Sequence, residues 1–222
     1  MPTDTKPQIS YHFSSELLIK TCPLPSSMMS RHQHKIHTAS ASAIEPLSAL
    51  LKRHKNHLEY NVMEQLIDCI GRQLQSLERE NKGISCFHLD DITVFHDTDA
   101  SSTIHFAITN DDKIHDINED NNIVITAPYS TSYTSTTTTK KGPPPFHSPE
   151  FKEFITKKTI PYQLHFKSGY YSFGLLCMYC YVSRNTTTTL AYALDTIINT
   201  KIYWFLKQVL RENPTERRYI CV

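Results

Sequence analysis

The chain has 222 residues and a mass of 25.6 kDa, the size of one large domain or two small ones, because single cores stop growing near roughly 250–300 residues. Lys plus Arg total 23 against 22 Asp plus Glu, a formal charge of +1. That balance lacks the basic excess which phosphate binding by counterion release requires, and it disfavours a general nucleic-acid binder. The 22 Phe plus Tyr can fill a core, but the longest apolar run, Phe173–Val182, has ten residues, against the roughly 20 that span a bilayer. No transmembrane segment is expected. The first residues, MPTDTKPQISYHF, carry no basic stretch followed by an apolar one, so no secretory signal is readable and the expected site of action is cytoplasmic. The six cysteines (22, 69, 86, 177, 180 and 221) are too scattered for a disulfide scaffold and read as reduced thiols.

Ile9–Phe13 and Leu17–Thr21 have strand character and suit a small hairpin, followed by a breaker-rich tract from Pro23 to Ser42. Apolar residues then fall at helical spacing over Ile44–Leu58 (Leu47, Leu50, Leu51) and over Tyr60–Glu80 (Val62, Leu66, Cys69, Ile70, Leu74, Leu77), which predicts two amphipathic helices. Ile92–Phe95 and Thr103–Ile108 read as short strands joined through His96-Asp97-Thr98-Asp99. Residues 110–147 are polar, with Asp/Asn clusters and a Ser/Thr run at 130–139, and Ile123–Ile125 alone suggests a strand there. Such a stretch buries too little apolar area to offset its ordering entropy and reads as a long mobile loop. Beyond it, Pro149–Lys157, Ser172–Tyr181 and Ala191–Leu210 read as helices, the last stopped by Asn213-Pro214. The five glycines, none before Gly71, exclude both GxGxxG and GxxxxGK[ST] phosphate loops.

Several joints in this order resemble the C-terminal lobe of a eukaryotic-type protein kinase. His88-Leu89-Asp90 stands where the family's His-Arg-Asp opens the catalytic loop, after two helices. His147-Ser148-Pro149-Glu150 is similar to the Ala-Pro-Glu that closes the activation segment. Gly169-Tyr170-Tyr171-Ser172-Phe173-Gly174 is similar to Asp-x-Tyr-Ser-x-Gly at the head of the lobe's central helix. Asn213-Pro214-Thr215-Glu216-Arg217 is similar to Asp-Pro-x-x-Arg near its end. The resemblance implies a mainly α fold with minor β: a kinase-like C-lobe over 44–222, with a mobile activation-segment-like loop at 110–147, preceded by a vestigial β hairpin and linker over 1–43. It also implies that Arg217 pairs with Glu150 and that Gly174 is a structural position. The closing stretch Asn199–Lys207 with Pro214-x-x-Arg217 looks like kinase-related proteins of large nucleocytoplasmic DNA viruses, which would make the compartment host cytoplasm.

Phosphoryl transfer needs a Gly-rich cover and a Lys over the phosphates, metal-binding positions, and a base for the acceptor hydroxyl. Only about 43 residues precede the first expected helix, so the N-terminal lobe that supplies the first two is expected to be absent or vestigial. By the HRDxxxxN pattern, Ile92 stands at the catalytic-loop Lys and Phe95 at the metal-binding Asn, while Ile108-Thr109-Asn110 stands at Asp-Phe-Gly. A shifted alignment would take Asp111 or Asp112 as the metal carboxylate. His88 and Asp90 are then vestigial, with Asp90 capping or bracing its turn, and Gly169 removes the Asp that anchors the loop in the family.

Other signals read as ordinary structure. His32, His34 and His37 lack a Cys or carboxylate at ligand spacing and read as solvated linker. Cys177 and Cys180 have CxxC spacing without a second pair, inside the most apolar segment, and read as core. Arg31, Lys35, Lys52, Arg53, His54 and Lys55 read as a solvated basic face. The expectation is a catalytically inactive pseudokinase domain serving as a protein-interaction or scaffold module. It would have a protein partner or self-association, no cofactor, no metal, no nucleic acid, no membrane and no small-molecule substrate. The alternative is a residual serine/threonine kinase using Asp90 as base, with its N-lobe supplied by a partner or by the hairpin.

Overall fold

The computed structural model describes residues 9–14, 17–19, 37–97, 104–128, 146–182 and 194–219. In chain order the strands are β1 (Ile9–Ser14), β2 (Leu17–Ile19), β3 (His37–Pro46), β4 (Lys82–Ile84), β5 (Ile92–Asp97), β6 (Ile104–Ile108), β7 (Ile114–Asp116), β8 (Asn122–Ile125) and β9 (Tyr162–His165). The helices are α1 (Leu47–Arg53), α2 (Tyr60–Arg79), α3 (Pro149–Lys157), α4 (Ser168–Tyr181) and α5 (Lys201–Val209). Two units result: residues 1–76 with 89–111, and residues 77–88 with 112–222. Among the described residues no helix is long and apolar enough to cross a membrane.

In the first unit a five-stranded antiparallel sheet runs in the order β2-β1-β3-β5-β6. The strand β3 pairs with β5 through Ile44↔Phe95 and Glu45↔Val94, with a register shift between Ala41 and Ala43. The β5–β6 hairpin pairs Ile92↔Ile108 and Val94↔Phe106. Ile92, Val94, Phe95, Phe106, Ala107 and Ile108 are all buried. In α2 the apolar residues Met63, Leu66, Ile67, Ile70 and Leu74 recur at helical spacing, and all are buried. A polar residue of that helix, the buried Gln73, completes the sheet. Its amide donates to Phe106 O (2.8 Å) and its Oε1 accepts from Ile108 N (2.8 Å), satisfying outward main-chain groups of β6 that would otherwise be orphaned.

In the second unit β4 pairs with β7 and β8 with β9, each as a two-stranded antiparallel sheet. Cys86, Ile123, Ile125, Phe151, Phe154, Leu164 and Phe166 form one buried cluster. The helix α4 is apolar all round and almost wholly buried. Its two glycines mark where neighbours come close. A Cβ at Gly174 would lie 2.7 Å from Val209 Cγ2 and 2.8 Å from Leu210 Cδ2, and one at Gly169 only 2.6 Å from the main-chain oxygen of Ile84. The first turn of α3 is set by Ser148, whose hydroxyl accepts from Phe151 N (3.2 Å), and by Pro149 at the first helical position.

This architecture corrects the expected fold class. A mainly α, kinase-like C-lobe with only a vestigial β element does not describe this chain: the described residues hold five helices, a five-stranded sheet and two further strand pairs, and the class is mixed α/β. The strand β3 was hidden for a physical reason. The sequence of β3, HTASASAIEP, alternates only Ala39, Ala41 and Ala43 with Ser40 and Ser42, a weak signal because alanine is depleted in strands, and its pairing is fixed by neighbouring strands. The expected boundary after residue 43 falls inside β3, and Ile44, taken for the start of a helix, is a strand residue. The expected loop from residue 110 is also corrected in part. Its first portion folds as a 3-10 turn at Asp111–Lys113 and the strands β7 and β8, anchored by Ile123 and Ile125. The Ser/Thr run 130–139 lies outside the described residues, as do His32, His34, Cys22 and Cys221.

Candidate functional site

The segment that resembles a catalytic loop begins with a 3-10 turn, Leu89–Asp91. Successive residues of such a turn point about 120° apart, and the two carboxylates diverge accordingly. Asp90, the vestigial base of the resemblance, is exposed and accepts a hydrogen bond from the Ser48 hydroxyl at the start of α1. Asp91 is the buried one. It accepts from Asn110 Nδ2 at 2.7 Å, and its carbonyl accepts from Thr109 N at 3.0 Å. The brace on this loop is therefore Asp91, the residue after the one that sequence reasoning chose. Ile92, Phe95 and Ile108 are 0%, 1% and 6% exposed. Asp111 and Asp112 of the shifted alignment are exposed on their turn.

Glu150 and Arg217 are brought together. The Asn213-capped turn Pro214–Glu216 delivers Arg217 into the second unit, where it is wholly buried. Its guanidinium grips Glu150 with both terminal nitrogens, Nη2 reaching Oε2 at 2.9 Å and Nη1 reaching Oε1. The remaining donors go to main-chain carbonyls: Nε to Arg211 (2.7 Å), Nη1 to Lys167 (3.1 Å) and Nη2 to Glu212 (2.8 Å). Tyr171 covers the guanidinium with its ring centroid 4.8 Å away. Every N–H of the fork has an acceptor, the condition under which burying such a charge is tolerable.

A third arrangement was not legible in the sequence. Phe87 and Phe146 form an antiparallel bridge, a register that puts Cys86 opposite His147, with His88 on the same side as Cys86 two residues along. Two serines one turn apart on α4 tie the strands of this bridge. The Ser172 hydroxyl accepts from Phe87 N (2.7 Å) and donates to Phe146 O. The Ser168 hydroxyl donates to Ser85 O (2.9 Å) and contacts the Ser148 hydroxyl (2.7 Å). Without the Asp that the resemblance would put at Gly169, the Ser85–His88 segment is held by Ser168 and Ser172. Cys86 and His147 are buried and His88 half-buried. Burial, with smaller contributions from the charges of His88, Lys152 and Lys113, pushes the His147 imidazole down to about 4, so it is neutral near pH 7.

Cys69, Cys86, Cys177 and Cys180 are thiols. Burial holds the Cys177 thiol well above its ordinary value, as suits a core residue. In comparisons with protein-family models and with characterised proteins, nothing matches this chain.

Proposed function

We propose that this chain is a catalytically inactive relative of the protein kinases that works as a protein-interaction module, with a protein partner or a second copy of itself as its ligand. The observation that carries this reading is the burial of Ile92, Phe95 and Ile108. These are the positions that the motif resemblance assigns to the catalytic-loop Lys and the two metal ligands, and as core side chains of a hairpin they offer no donor to phosphate or magnesium. Asp90 is left as an exposed carboxylate bonded to Ser48. The Glu150–Arg217 ion pair, by contrast, is kept in full. A chain that keeps the pairing that braces its structure and replaces the chemistry of transfer is suited to being bound rather than to reacting.

A ligand that binds the native state must stabilise it. Millimolar ATP with Mg²⁺ or Mn²⁺ is expected to leave the melting temperature of the full chain unchanged in a thermal-shift measurement. A rise of several degrees would overturn the proposal in favour of a residual kinase.

A further inference from the structure

We propose that Cys86, His88 and His147 form a zinc site with an open fourth coordination position. The sulfur and one ring nitrogen from each histidine lie within 4.8 Å of one another. Around tetrahedral zinc, with Zn–S about 2.3 Å and Zn–N about 2.0–2.1 Å, ligand atoms stand roughly 3.3–3.8 Å apart. Small side-chain rotations close the cluster onto an ion without moving the main chain.

The three residues are held together by construction. The Phe87↔Phe146 bridge fixes the register that aims Cys86, His88 and His147 to one side, and Ser172 and Ser168 clamp both strands of it from α4. His147 is packed against Phe151, ring centroids 4.8 Å apart, and edge-on to His88 at 6.3 Å. Cys86 lies at the bottom, wholly buried, and the half-buried His88 leaves a path for an ion from solvent. Zinc binds Cys86 as the thiolate, whose charge brings the bound unit to +1. One thiolate with two imidazoles selects zinc or cobalt(II) over magnesium and calcium, which take oxygen ligands. Three protein ligands leave the fourth position to water or to a donor from a partner.

The test uses the reduced, metal-free full chain carrying His32→Ala, His34→Ala and His37→Ala, so that those histidines add no background. Titration with Co²⁺ is expected to raise a thiolate-to-cobalt charge-transfer band and d–d absorption of tetrahedral intensity, saturating at one equivalent and abolished by equimolar Zn²⁺. Cys86→Ser should remove the charge-transfer band and weaken zinc binding by at least ~100-fold, beyond the 10–100-fold that loss of an outer-shell partner costs. His88→Ala, at a half-buried position, should keep the band and weaken binding by at least ~10-fold. Circular dichroism of the metal-free variants controls for folding. A chain that shows no such band, a band that survives Cys86→Ser, or an affinity unchanged by His88→Ala would each overturn the proposal.

Discussion

Replacing Arg217 with alanine is expected to lower the melting temperature by on the order of 10 °C. Removing one partner of a buried ion pair costs about 3–5 kcal/mol, because the other charge stays uncompensated, and each kcal/mol shifts a chain of this size by roughly 2–4 °C. The substitution also strips the carbonyls of Arg211, Lys167 and Glu212 of their donor and opens a void beside Tyr171. Glu150→Ala should cost less, since the Glu150 side chain is 17% exposed and Arg217 keeps three main-chain acceptors. Asp90→Ala, which removes one exposed hydrogen bond to Ser48, should stay within about 0.5 kcal/mol. Calorimetric melts of the three variants check the order. If Asp90 proves critical and Arg217 dispensable, the node at Glu150 is not what braces the second unit.

Ser172→Ala is expected to be nearly as damaging although it removes a single oxygen. That oxygen accepts from Phe87 N at 2.7 Å and donates to Phe146 O. Its loss leaves a buried N–H and a buried C=O unsatisfied, and each orphan costs about 1–3 kcal/mol. A net loss on the order of 2–4 kcal/mol in urea-unfolding free energy follows. Thr156→Ala is the control: its hydroxyl also bonds a main-chain oxygen, Lys152 O at 2.9 Å, but on an exposed helix face, and it should change stability by less than about 0.5 kcal/mol. Equal effects at the two positions would mean that α4 does not hold the Phe87–Phe146 bridge together.

How much of this was readable in the sequence depends on how far each residue's partner lies along the chain. The helix α2 was legible because its apolar spacing is a local property, and the β5–β6 hairpin because two apolar runs flank a turn-forming stretch. The Ala/Ser strand β3 carries only a weak alternation, and the three-residue strands β4 and β7 are too short to carry one. They exist because distant partners fill their hydrogen bonds, which is why the chain read as more helical than it is. Gln73 looks like one more polar helix residue until its bonds to β6 are seen.

The candidate site divides in the same way. Glu150 and Arg217 could be paired from their motifs, and Ser172 stood inside a quoted motif without a role assigned to it. Asp90 was chosen over Asp91 because spacing cannot tell which way a 3-10 turn faces its residues. Cys86, His88 and His147 were invisible as a group. Two of them lie two residues apart, but the third comes from beyond residue 145, and it is the Phe87↔Phe146 bridge that makes them neighbours.

Transfer of radiolabelled phosphate from ATP decides between a chain that is bound, as proposed, and one that is catalytic. With Mg²⁺ or Mn²⁺ and generic protein substrates, the full chain and its Asp90→Asn variant are expected to incorporate the same background label, because Ile92, Phe95 and Ile108, which the motif resemblance puts at the phosphate- and metal-handling positions, are buried apolar side chains. Incorporation that rises with the amount of chain and vanishes in Asp90→Asn would contradict the account.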